Sequence, residues 1–228
     1  MKKYDVFLFD ADGTLFDFYK AEACAFRTVY EDCGFLYSDK ILKRYSEINE
    51  QLWKSFERNE ISIDMIKTER FVRLFKELGV NHDEYDFNDR YVVELGKGAF
   101  LVDGAKEICE ELTSLDKKIY IITNGIETVQ VARLGYSTIK KYVSDIFISE
   151  LIGYQKPDVR YFEHVFSNMP EVDKERVMVI GDSLTADIKG GINAGLDTCW
   201  FNERNVENTS SVVPTYEIKK LSEITQFI

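Results

Sequence analysis

Two carboxylates separated by one alanine, Asp10 and Asp12, stand directly after the apolar run Val6-Phe7-Leu8-Phe9 and directly before Gly13-Thr14. A carboxylate can attack phosphorus and carry it as an aspartyl-phosphate. A second acid two residues on can protonate a leaving alcohol and then deprotonate the hydrolytic water. Further along, Thr123-Asn124-Gly125, Lys156 and Asp182 follow apolar runs or open helical ones. Asp10 and Asp182 offer hard oxygen ligands of the kind Mg²⁺ takes together with water and substrate phosphate. The Thr123 hydroxyl, with backbone N–H groups around Asn124 and Gly125, can hold phosphate oxygens. Lys156 can neutralise both the nucleophile and the phosphoryl group, and Asp187 can orient the ion's water shell from behind. Taken singly, an Asp or Thr after a strand is as well explained as a helix cap or a turn residue. Together with Lys156 they form a set, provided the fold brings them to one place.

The pattern of elements supplies such a place. Ile119–Ile122 and Val177–Ile180 read as buried strands ending at Thr123 and at Gly181-Asp182, and shorter strands are expected at Ile146–Ile148 and Thr198–Phe201. Helical stretches lie between them, one capped by Asp103, one starting with Pro157 in its first turn, and one closing at Gly195. Residues 203–213 read as a surface loop, and the tail as a short strand and a helix. Alternating strands and helices imply an α/β fold, a doubly wound Rossmann-like parallel sheet whose ligands bind beyond the carboxyl ends of the strands. Between the first strand and the rest, four amphipathic helices interrupt the alternation. Their stripes include Tyr45, Ile48 and Leu52, and Phe71, Leu74 and Phe75. Such helices can pack as a small bundle. The expected organisation is a core of residues 1–17 plus 98–228 with an inserted helical cap at 18–97.

The net charge of −11 over 228 residues argues against a nucleic-acid polymer as partner, since phosphate backbones need a Lys/Arg surface. Cys24, Cys33, Cys109 and Cys199 form no CxxC pair, so buried free thiols in a reducing compartment are expected. No apolar run is long enough to span a bilayer and no signal peptide is supported, so a cytoplasmic location away from membranes is expected.

Asp10-x-Asp12-Gly13-Thr14, Thr123, Lys156-Pro157 and Gly181-Asp182-x-x-x-x-Asp187 resemble, in order and spacing, the four motifs of the haloacid dehalogenase superfamily. The likeness covers the whole chain, with the helical block in the place of that superfamily's C1 cap. It implies Mg²⁺-dependent phosphoryl transfer through Asp10, with the backbone carbonyl of Asp12 as a further metal ligand beside Asp10 and Asp182. Members that displace halide lack an acid at the position of Asp12, so its presence favours a phosphatase or phosphomutase. Asn124-Gly125 with Gln130 and Arg133-Leu134, the stretch Gly190 to Leu196 running to Trp200, and Tyr45-x-x-x-Asn49-x-x-Leu52-Trp53 are similar to the pyrimidine 5′-nucleotidase branch. That likeness implies a nucleoside monophosphate as the small-molecule phosphate ester. A sugar-phosphate phosphatase or phosphomutase would carry the same four motifs.

The cap should select the substrate. Phe18, Tyr19 and Trp53 can stack on a base or simply fill the core. Asn49 and Gln51 can hydrogen-bond a pyrimidine or face solvent. His82 and His164 lie outside the motifs and receive no role. A phospho-aspartate receiver module also clusters acids, Thr and Lys, but it would be about half this length and lack the helical insertion. The oligomeric state is open.

Overall fold

The computed structural model describes residues 2–169 and 172–228. Six parallel strands form one sheet in the order β3-β2-β1-β4-β5-β6. They are β1 (Val6–Phe9), β2 (Lys118–Thr123), β3 (Asp145–Ile148), β4 (Val177–Gly181), β5 (Asp197–Phe201) and β6 (Tyr216–Ile218). The four residues of β1 are all buried, as expected of a central parallel strand covered on both faces. Alternate side chains serve the two faces. Phe7 and Phe9 pack with Ile119, Ile121, Met178 and Ile180 beneath α5 (Ala105–Ser114) and the tail residues Leu221, Ile224 and Phe227. Val6 and Leu8 pack with Ile122, Val177 and Val179 against Tyr161, Phe162 and Val165 of α8 (Val159–Ser167).

Strand order reverses between β1 and β4, which are paired in register from Val6↔Val177 to Phe9↔Ile180. A sheet of this order leaves a crevice at the carboxyl ends of these two strands, because the connecting helices depart to opposite faces. Asp10 and Asp182 are the residues that follow β1 and β4 there.

The four helices between β1 and α5 are α1 (Phe18–Asp32), α2 (Asp39–Glu57), α3 (Ile63–Leu78) and α4 (Glu84–Lys97). Asp17, Ser38, Ser62 and Asp83 cap them with side-chain acceptors. Phe26, Tyr45, Phe71, Phe87 and Tyr91 form an aromatic centre for the block, and Ile126 and Val129 of the sheet layer join it through α6 (Glu127–Tyr136). The chain leaves and re-enters the sheet layer side by side: Asp17 N–H donates to Phe100 O at 2.9 Å, and Phe16 bridges to Leu101. Among the described residues no helix is long and apolar enough to cross a membrane.

Several local expectations are corrected. Asp103 does not cap α5; the cap position is Gly104 at φ +81°, without a side-chain bond. Pro157 precedes α8 instead of lying in its first turn, because Asp158 takes the cap and accepts from Arg160 N–H. After the short helix α7 (Ser149–Ile152) and α8, the segment following β4 is a π-turn at Leu184–Ile188 continued by α9 (Lys189–Asn193), where one helix was expected. The tail helix is a 3₁₀ turn at Leu221–Phe227. Cys109 and Cys199 are buried thiols, but Cys24 is exposed and Cys33 half-buried.

Candidate active site

Asp10 sits where β1 stops, 7 % exposed, with its backbone N–H still paired to Ile180 O at 2.8 Å. Lys156 is 1 % exposed, and its ammonium has three acceptors: Asp10 Oδ1 at 2.7 Å, Asp187 Oδ1 at 2.6 Å and Ile122 O at 2.7 Å. Each N–H is therefore spoken for, as a buried ammonium requires. Burial opposes the charge on Lys156, but the Asp10 and Asp187 carboxylates outweigh it and hold the ammonium above its ordinary range. The loop carrying Lys156 is itself pinned. The Asn124 amide donates to Lys156 O and accepts from Lys156 N–H, both at 2.9 Å.

Asp187 lies on the π-turn, where a wider turn lets its carboxylate fold back. One oxygen faces Lys156 and the other accepts from Ser183 N–H at 3.0 Å. Gly181 makes room for this, because a Cβ there would overlap the Asp187 carboxylate. Gly13, at φ +86°, has the same relation to Asp182: an added Cβ would lie 2.6 Å from Asp182 Oδ2. The turn after Asp12 thus lies against the second metal-type carboxylate, a position only glycine fills without strain.

Carboxylate oxygens of Asp10, Asp182 and Asp187 lie within 4.8 Å of one another. Burial, then Asp187, Asp182 and Asp12, push Asp10 well above the usual carboxylate range against the pull of Lys156. Burial and Asp187 do the same to Asp182. Among the described residues Lys156 pairs with Asp10 and Asp187 and Arg133 with Asp12, so the four acids Asp10, Asp12, Asp182 and Asp187 have two cations in ion-pair contact with them, a formal deficit of two positive charges. This donor set fits a hard divalent cation held by Asp10 and Asp182. Asp187 has both oxygens engaged already and suits a bracing role behind them.

Thr123 is 1 % exposed, and its Oγ1 accepts from Gly125 N–H at 2.9 Å, leaving the hydroxyl proton free to donate. Thus Thr123 and Lys156 come together beside Asp10. Asn124 and Gly125 are adjacent, but the Asn124 side chain is occupied with the Lys156 backbone and the Gly125 N–H with Thr123. Asp12 is placed differently from the other acids. Its side chain is taken by Gln130 and Arg133 of α6, one on each oxygen. Composition and strand patterning did not predict this grip. The available signal was a polar pair at i, i+3 spacing beside the apolar stripe of α6.

Above this floor opens a cleft of about 810 Å³, walled on the helical side by Phe18, Tyr19, Glu22, Asn49 and Trp53 and on the sheet side by Trp200 and Arg204. The aromatic residues therefore border the cleft. Asn49 is 2 % exposed and not on a solvated face; its Nδ2 donates to Glu22 Oε1 at 3.0 Å while its Oδ1 has no partner. Burial raises Glu22, and Ser46 and Asn49 hold that rise back. Gln51 is exposed. The helical block meets the sheet layer at the cleft through Thr185 Oγ1 to Glu57 Oε2 at 2.6 Å, and elsewhere through Gln155 Nε2 to Asn59 Oδ1 at 2.7 Å and Lys67–Glu150 at 2.6 Å.

Residues 4–195 match the family model of haloacid dehalogenase-like hydrolases. The chain is 42 % identical to the HAD-hydrolase YfnB of Bacillus subtilis over 98 % of this chain and 95 % of that one. The crystal structure of YfnB bound to magnesium superposes with a TM-score of 0.93, at 41 % identity, covering 99 % of this chain and 98 % of that one. Two pyrimidine 5′-nucleotidases are also similar. PynA of Streptococcus pneumoniae is 37 % identical over 94 % of this chain and 91 % of its own, and YjjG of Escherichia coli 29 % over 99 % and 98 %.

Proposed function

The chain belongs to the haloacid dehalogenase-like hydrolases, and on that premise we propose that it is a Mg²⁺-dependent phosphatase acting on a pyrimidine nucleoside 5′-monophosphate. The observation that carries the phosphatase reading is the buried Asp10–Lys156–Asp187 chain at the end of β1, with Asp182 alongside and a second acid, Asp12, two residues on. Mg²⁺ on Asp10 and Asp182 would offset phosphoryl charge. Asp10 attacks phosphorus as the ester oxygen departs, and Asp12 gives that oxygen its proton. Asp12, then ionised, takes a proton from the water that hydrolyses the aspartyl-phosphate. Lys156 keeps Asp10 in its attacking position, and the Thr123 hydroxyl donates to a phosphoryl oxygen. Residues 18–97 act as a cap that closes the cleft and excludes water.

The nucleotide reading is supported by the names of PynA and YjjG and by the cleft itself. A volume of about 810 Å³ accommodates a nucleoside monophosphate. The aromatic side chains of Phe18, Tyr19 and Trp53 line the cleft and offer faces on which a base can stack.

The test is phosphate release from UMP, dUMP and dTMP against hexose phosphates and phosphoglycolate, each with Mg²⁺ and with EDTA. Preference for the nucleotides, dependence on Mg²⁺ and an inactive D10N variant are expected. Preference for the sugar phosphates would overturn the nucleotidase assignment, and an active D10N would overturn the mechanism.

A further inference from the structure

We propose that Gln130 and Arg133 are positioning residues that hold the Asp12 carboxylate for proton transfer to the leaving oxygen; this rests on the phosphatase reading above. Gln130 Nε2 donates to Asp12 Oδ2 and Arg133 Nη1 to Asp12 Oδ1, so α6 grips both oxygens of an acid more than a hundred residues away in the chain. Gln130 is 1 % and Arg133 0 % exposed, whereas the Asp12 side chain keeps 25 % of its surface at the cleft. The guanidinium is anchored independently. Its Nη2 donates to Leu95 O at 3.3 Å in the last turn of α4, and it lies over the Phe16 ring at 5.8 Å.

Packing alone does not account for the pair. Burying a guanidinium is expensive, and an apolar side chain of similar volume fills such a position at least as well. Both side chains also leave an atom unsatisfied, Gln130 Oε1 and Arg133 Nε, so the fold bears a cost that their own hydrogen bonding does not recover. What the two share is Asp12. In the transfer step the P–O(ester) bond breaks as the Asp10 oxygen bonds to phosphorus, and the Asp12 proton moves to the departing oxygen. An acid displaced by about 1 Å forfeits about 10²-fold in rate. A carboxylate partly exposed in a cleft needs a brace to keep that position.

The experiment compares kcat/KM for UMP, or for whichever alkyl phosphate is turned over best, with kcat/KM for p-nitrophenyl phosphate in wild type, D12A, R133M and Q130M. This ratio covers events up to the first P–O cleavage, and p-nitrophenolate leaves without needing a proton. D12A should lose about 10²–10⁴-fold on the alkyl ester and far less on the aryl ester. R133M and Q130M should show the same asymmetry, about 10–100-fold against less than about 3-fold. A merely structural role lowers both esters alike; that result, or no loss on either, overturns the proposal. Should R133M fail to fold, Q130M, which leaves the guanidinium in place, decides the matter alone. A D12A variant without ester dependence overturns the acid role of Asp12, and the brace falls with it. A D12A variant with that dependence beside R133M and Q130M without it overturns the brace only.

Discussion

Replacing Lys156 by Met keeps the length and most of the volume of the side chain and removes its charge. The ammonium now serves Asp10, Asp187 and Ile122 O at 2.6–2.7 Å in a site 1 % exposed. Without it, two buried carboxylates and one carbonyl lose a donor, and among the described residues Arg133 is left as the cation in ion-pair contact with the four acids. Breaking a buried pair from one side costs about 3–5 kcal/mol and an orphaned carbonyl about 1–3 kcal/mol, so K156M should lose about 4–8 kcal/mol at pH 7.5. That is a large part of the roughly 5–15 kcal/mol a domain has. The assay is urea unfolding in EDTA between pH 8 and pH 5. The Asp10 carboxyl lies above its ordinary 3.8 in the folded protein and that of Asp182 is pushed up to about 7, so between 3.8 and these raised values the native state binds the extra protons and acidification favours it. Loss of Lys156 widens that window upward, and the gap between variant and wild type should narrow as the pH falls. Lys156 itself, held above 10.5, contributes fully below that value and is lost only at more alkaline pH, so its own titration does not enter. Adding Mg²⁺ should stabilise both proteins, by about 2.7 kcal/mol at a hundred times its Kd. A loss below about 1 kcal/mol, constant with pH, would refute the electrostatic account of this centre.

Two further outcomes are expected. N49A takes the amide donor from the buried Glu22 carboxylate and should lose about 1–3 kcal/mol in urea unfolding; an unchanged midpoint would show that Ser46 alone satisfies Glu22. At the opposite end of the sheet, Asp5 joins Lys117 and Arg176 ahead of β1, β2 and β4, and these partners lower its carboxyl from 3.8 to about 2. Its contribution is present above the ordinary value and lost as the pH falls through about 2. Because the Asp5 side chain is 44 % exposed, solvent screening discounts it, and D5N should cost about 0.5–1 kcal/mol at pH 7, a difference that vanishes in acid unfolding curves near pH 2.

The amino-acid order alone determined the sheet class and the acids at its edge. An apolar strand followed by a polar residue is local information. Once strands alternate with helices, parallel pairing follows, and the residues after β1, β2 and β4 must share an edge. The interruption by four amphipathic helices was equally legible, since a 3.6-residue stripe does not depend on its partner. Tertiary structure decided how the polar side chains are spent. Asn124 stood beside the phosphate-type hydroxyl in sequence, yet its amide closes on the Lys156 backbone 32 residues on. Sequence left Asn49 of α2 to face either a pyrimidine or solvent, and its amide instead meets Glu22 of α1 across the helix pair. Gln130 and Arg133 stood out in the sequence only as part of a family likeness, because their partner Asp12 lies 118 and 121 residues away. Periodicity shows which face of an element is buried. A buried polar atom must find a donor or acceptor in another element, and only the packing of those elements determines which one it meets.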